Sequence, residues 1–234
     1  MTQARSQLNP AHRPVPCIAP FDAERHAACT AFITGQLAKQ RNSRTQLYIV
    51  KALILTDLYA LQHGGAPIVG GPLQAWPQGP VNRDAYEQLV ALIEAKKAHM
   101  PLPPGFTVER CGGKAYEFQP DQPVDPDDYS PLEISAMTWA WGEIGHLTYK
   151  QLEHYTHSSD TYMGAAWRHA TGGEWMGNAT MDWLRLMWEF DRAHDTDHYG
   201  RMADYILSSP SRSRIGDAGE PDVEVDDLGH VVLY

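Results

Sequence analysis

Between Gln46 and His63 the chain carries Leu47, Ile49, Val50, Leu53, Ile54, Leu55, Leu58, Tyr59 and Leu61. At helical spacing these positions run nearly all the way round the axis. A helix of that kind has no face to offer water and belongs in the middle of a core. Gly64 and Gly65 follow it, and glycine is favoured just past a helix C-terminus. Such a helix has to be covered by other elements, so the rest of the chain is read for what covers it.

Most of the cover reads as helix. From Ala23, the residues Cys29, Phe32, Ile33 and Leu37 fall on one stripe, which Arg41-Asn42-Ser43 breaks. Residues 64–81 are rich in Gly and Pro and read as a loop. Asn82 is placed to cap a helix whose apolar face is Tyr86, Leu89, Val90 and Ile93. Phe106 to Phe118 alternates around Cys111-Gly112-Gly113 and predicts a short β-hairpin. After a Pro/Asp linker over 119–129, Ser130-Pro131-Leu132-Glu133 has the form of a capping box with proline at the first helical position. Ile134, Met137, Trp141 and Ile144 continue that helix. A second box, Thr148 with Gln151, follows at once, with Leu147 and Leu152 spaced as a hydrophobic staple. A short helix is predicted from Thr161 to Ala170, stopping at Gly172-Gly173. Another is predicted from Asn178 to Leu207, broken near Asp195, with Tyr199, Met202, Ala203 and Ile206 on one face.

The predicted fold class is therefore mainly α (α+β): a compact helical domain with a small β-hairpin and a C-terminal helical extension. Residues 1–20 read as a disordered leader. Residues 21–175 read as the helical domain, with its hairpin near 106–118. Residues 176–207 form the extension, and 208–234 an acidic flexible tail able to form a short hairpin.

Charge restricts the partners. The net charge of −10 is distributed as +4 over residues 1–60, −10 over 61–207 and −4 over 208–234. An acidic body repels a phosphate backbone, so nucleic acid is not the expected partner. The basic residues Arg5, Arg13, Arg25, Lys39, Arg41 and Arg44 read as a solvated face. No apolar run approaches membrane-spanning length, and the first twenty residues lack the apolar core of a secretory signal. Cys17, Cys29 and Cys111 are odd in number and include no Cys-x-x-Cys pair, which points to a reducing compartment and a cytoplasmic protein.

Catalytic patterns are thin. His154 and His157 lie three apart beside Glu153, and His194 and His198 lie four apart among Asp191, Asp195 and Asp197. Spacing of four can place two metal ligands on one helix face, but the His-Glu-x-x-His order is missing, and no metal or other cofactor is expected. No serine stands in a Gly-x-Ser-x-Gly elbow, and no glycine loop fits a phosphate cradle. Residues 132–157 resemble a helix-turn-helix in outline, but over 146–170 only Lys150, Gln151 and Arg168 suit base edges. Trp139 and Trp141 cannot share a helix face. Trp141 joins the core stripe, and Trp139 is either a second buried face or an exposed anchor of the kind protein interfaces favour.

Three segments in order carry a resemblance. The first is Ile49-Val50-Lys51-Ala52-Leu53-Ile54-Leu55, an inward lysine followed by paired leucines. The second is Ala75-Trp76-Pro77-Gln78-Gly79-Pro80-Val81 with Tyr86 five residues on. The third is Leu147 through Leu152-Glu153-His154-Tyr155-Thr156-His157, followed by Trp167. Over roughly residues 45–170 the chain is similar to the Panacea domain family, which includes SocA-like antitoxins and GepA-like phage-associated proteins. Thr56 stands where the family usually has an aromatic, and Ala166 where proline is common before the tryptophan. The resemblance implies an antitoxin without enzymatic activity that neutralises a cognate toxin protein by direct binding. In SocA-like members it also implies an adaptor that delivers the toxin to a Clp-type protease. A DNA-binding autoregulator is the remaining alternative. It nominates Trp76, Gly79, Pro80, Tyr86, Trp139, His157 and Trp167 as partner-contacting, and Lys51, Leu53, Leu55 and Leu152 as structural. Lys51 is expected either to snorkel to the rim or to pair with a buried carboxylate.

Overall fold

The computed structural model describes residues 17–38, 44–102, 105–111, 115–174, 179–197, 223–225 and 231–233. The fold is mainly α with small antiparallel strands, and it divides into two compact units. One comprises Phe21–Pro72 and Val81–Leu152; the other Met1–Pro20, Leu73–Pro80 and Glu153–Tyr234.

The first unit is built on α2 (Gln46–Gly64), whose thirteen buried residues include Lys51, Leu53, Leu55 and Asp57. The helix ends at Gly65, whose φ of 77° is the left-handed conformation that glycine adopts without a Cβ clash. α1 (Ala23–Phe32) starts at Asp22, whose side chain accepts from the Arg25 amide, and runs into a wider π turn over Ile33–Leu37. α3 (Arg83–Lys97) starts at Asn82 as expected, and Leu89 and Ile93 are buried. The predicted hairpin is β3 (Phe106–Arg110) with β4 (Tyr116–Pro120), paired with Val108 opposite Phe118, and both of those side chains are buried.

α4 (Pro131–Ile144) packs along α2 through Ala136, Met137, Ala140 and Ile144. Its capping box forms: the Ser130 Oγ accepts from the Glu133 amide, and Glu133 accepts from the Ser130 amide at 2.8 Å. The remaining Glu133 oxygen takes Arg25 of α1 at 2.8 Å, so the cap also ties two helices together. Trp141 is half-buried rather than core, with its indole folded over Gly145. Trp139 is also half-buried and lies 5.5 Å from the Tyr59 ring of α2. The Thr148/Gln151 box opens α5 (Tyr149–His157), and Leu152 is buried.

The second unit holds a three-stranded sheet in the order β2-β1-β5, from β1 (Leu73–Trp76), β2 (Gly79–Asn82) and β5 (Ala179–Thr180). The Gly/Pro stretch read as a loop is thus a β-hairpin. Its strands are four residues long, and β5 pairs with β1, Gln74 opposite Thr180, from about a hundred positions away. α6 (Tyr162–Thr171) packs on α7 (Trp183–His194). Tyr162 and Phe190 meet edge to face at 5.1 Å. α7 starts at Trp183, not Asn178, because Asp182 caps it, and it stops at Asp195 in the left-handed conformation. The break expected near Asp195 is therefore present, while the face read from Tyr199 to Ile206, and His198, lie outside the described residues. Residues 1–16 of the leader lie outside them too; Cys17 and Ile18 are buried. Within the stretch read as a tail, β6 (Val223–Val225) pairs antiparallel with β7 (Val231–Leu233). Among the described residues no helix is long and apolar enough to cross a membrane.

Candidate functional site

Five of the seven residues nominated for partner contact fall in the second unit, and three of them touch. β1 delivers Trp76 to the start of a tight turn, where Pro77 and Gln78 are exposed and Gly79 takes a φ of 90°. Proline fixes φ and glycine tolerates positive φ, so the turn is set by its own residues. The last turn of α5 then places His157 against it. One ring nitrogen, Nε2, lies 2.9 Å from the Pro77 carbonyl oxygen and the other, Nδ1, 2.8 Å from the Glu153 carbonyl.

α6 supplies the third member. Its N-cap is Thr161, which accepts from the Gly164 amide and donates to the Tyr155 carbonyl at 2.7 Å. Gly164 is required there, because a Cβ would sit 2.2 Å from the Ser158 carbonyl oxygen. That close turn brings Trp167 in, buried, to donate its indole N–H to the Trp76 carbonyl at 2.8 Å. The His157 and Trp167 rings meet edge to face at 4.5 Å, and the Trp76 indole N–H goes to Gln74. The second and third segments of the resemblance thus form one clamp, in which two side chains hold the carbonyls of a hairpin turn. Buried carbonyls need such partners, and each bond contributes roughly 1 kcal/mol net. Gly79 and Pro80 are buried in the same hairpin.

Tyr86 and Trp139 belong to the other unit. Tyr86 is half-buried, and its carbonyl accepts from Gln46. The first segment of the resemblance sits there too. Lys51 is completely buried, so the snorkelling alternative does not hold, and burial drives its pKa well below that of a solvated amine.

Asp57, on the same helix, was not singled out by sequence reasoning. It is fully buried, and its carboxylate accepts the amides of Ile68, Val69 and Gly70 at 2.8, 2.7 and 3.0 Å. Burial raises its pKa to about 7 even though the three amide bonds pull the other way. Asn82 holds the same loop, donating to the Gly70 carbonyl at 2.5 Å while it caps α3. The available signal was an acidic residue inside an apolar helix followed by Val69-Gly70-Gly71, a stretch whose amides need an acceptor.

The histidines do not gather. His154 faces Asp160 at 3.4 Å on the surface, and His194 stacks on Phe190. Among the described residues no three His, Cys, Asp or Glu side chains come together as a metal cluster would.

Residues 49–161 match the family model described as antitoxin SocA-like, Panacea domain. No curated protein and no solved structure matches the chain. The matched stretch takes in the buried lysine helix, the hairpin and the histidine of the clamp, so the chain carries a Panacea domain of the SocA-like antitoxin family.

Proposed function

We propose that the protein is the antitoxin of a toxin–antitoxin pair and neutralises its toxin by binding it directly. The observation that carries this reading is the Panacea match over 49–161. The geometry supports it: the motif residues spend their polar groups on one another and build a rigid support for an exposed Pro77–Gln78 tip. Pre-ordered surfaces lose less conformational entropy on binding, which favours a tight complex. The acidic balance supports a partner that is basic overall, because complementary fields speed association and disfavour wrong partners. The three free thiols suit the cytoplasm, where the pair would meet.

Co-expression provides the test. Each open reading frame next to this gene is induced with and without the protein, and growth is followed. The expected result is one neighbour that arrests growth alone and is silenced by the protein, with a complex recovered by pull-down. If no neighbour is toxic, or toxicity persists with the protein in excess, the reading is wrong.

A further inference from the structure

α7 carries a surface that the Panacea match does not include. Arg185, Trp188 and Arg192 are spaced at three and four residues, so they form one stripe along the helix. The Arg185 guanidinium lies 4.3 Å from the centre of the Trp188 ring and that of Arg192 5.8 Å from it. Between them Glu189 is nearly inaccessible, its side chain 2% exposed, while those of Arg185 and Arg192 are 23% and 47% exposed. One Glu189 oxygen is bonded to Arg185; the other accepts from Arg192 Nε at 2.8 Å, with Nη2 at 2.7 Å.

The arrangement has three consequences. A buried carboxylate fixes both guanidinium groups, so their side-chain entropy is already spent before any ligand arrives. Two cations against one anion leave a surplus of one positive charge on the face, in a chain whose net charge is −10. His169 feels that charge: burial first, and then Arg185, hold its pKa below the usual value. Donors also remain: among the described residues Arg185 Nε is buried with no hydrogen-bond partner, and the half-exposed Trp188 has no acceptor for its indole N–H. Tryptophan and arginine are the residues that most often carry the energy of protein interfaces.

We infer that this Arg185–Trp188–Arg192 face is where the toxin docks, and that it takes an acidic segment of the toxin, a carboxylate beside an aromatic or apolar side chain. This rests on the antitoxin reading. A carboxylate complements the single surplus charge and the free N–H donors, and the neighbouring apolar group covers the Trp188 ring. Nucleic acid fits poorly, because its affinity comes from neutralising many phosphates and the face offers one net charge. The long-range acidic field then draws in a basic partner, while this local cationic face fixes its orientation.

The test uses the full chain and three fluorescein-labelled probes: a peptide of repeated Glu-Glu-Phe units, its Lys-Lys-Phe counterpart, and a single-stranded oligonucleotide. Fluorescence anisotropy is followed for the wild type, for Trp188→Ala, and for Glu189→Gln combined with Arg192→Gln. The double variant leaves no orphaned buried carboxylate, and circular dichroism confirms that each protein is folded. The acidic peptide is expected to bind the wild type and to lose about tenfold in affinity in both variants, as hot-spot truncations do. No binding of the acidic peptide, equal binding by wild type and variants, or binding of the oligonucleotide through Arg192 would overturn the inference. In the growth assay, a wild type that rescues alongside variants that rescue equally well sinks the docking face and leaves the antitoxin reading intact. A wild type that rescues nothing sinks the antitoxin reading, and the peptide series still decides what the face binds.

Discussion

His26 on α1 is buried against Phe21, and its Nε2 has no hydrogen-bond partner among the described residues. Burial lowers its pKa from 6.5 to about 4. Between those values the unfolded chain binds a proton that the folded chain does not, so stability falls as pH drops through that window. Asp57 acts in the opposite sense. Its folded pKa of about 7 exceeds the unfolded 3.8, so its contribution is present below 3.8 and is lost as pH rises toward 7. The two slopes largely cancel in the wild type between pH 4 and 6.5. His26→Phe is expected to remove an acid penalty of about 3 kcal/mol and leave a protein that becomes more stable on acidification. Asp57→Asn should do the reverse and become acid-labile. Urea unfolding at four pH values from 4.5 to 7.5 checks both, and parallel slopes in wild type and variants would refute the pairing (probe values on the order of the windows above).

Among the elements, two helical glycines separate close approach from mere tolerance. Gly164 of α6 leaves no room for a Cβ beside Ser158, whereas Gly142 of α4 faces open space. Gly164→Ala is expected to destabilise by roughly 1–3 kcal/mol through overpacking. Gly142→Ala should stabilise by roughly 0.5–1 kcal/mol, the helix-propensity gain. Thermal melts of the two variants should move in opposite directions. The same locality explains what could be read in advance. The caps at Asn82, Ser130 and Thr161, and the Thr148/Gln151 box, were legible because donor and acceptor lie within three residues. The β1/β2 hairpin was not, because its short strands look like loop and β5 pairs with β1 from far along the chain. The three motif segments pointed to Trp76, His157 and Trp167, but nothing in their spacing shows that Trp167 bonds the backbone of Trp76. The α7 stripe was also present in the sequence, as Arg185-Leu186-Met187-Trp188-Glu189-Phe190-Asp191-Arg192, and yields its meaning only once Glu189 is seen to be buried.

At the scale of the whole molecule, the acidic field should govern how fast a partner arrives. With a net charge of −10, association with a basic toxin is expected to slow about tenfold as salt screens the field from roughly 0.05 to 0.5 M. The dissociation rate, set by short-range contacts, should change far less. Stopped-flow mixing with the purified toxin measures both, and a salt-independent association rate would exclude steering.

The two compact units are interleaved along the chain, which crosses from one to the other after Pro20, Pro72, Pro80 and Leu152. Neither is one continuous stretch of polypeptide. A molecular motor reeling in the C-terminal side first strips away α7 and α6, and with Trp167 goes the bond that pins the hairpin turn. The hairpin is itself spliced between α2 and α3, so erosion that begins in one unit is passed to the interior of the other by covalent connection alone. Such a chain offers a degradative machine few places to pause and release a half-digested remnant. For a protein whose removal sets its partner free, dismantling of that kind would turn slow proteolysis into a sharp on–off event.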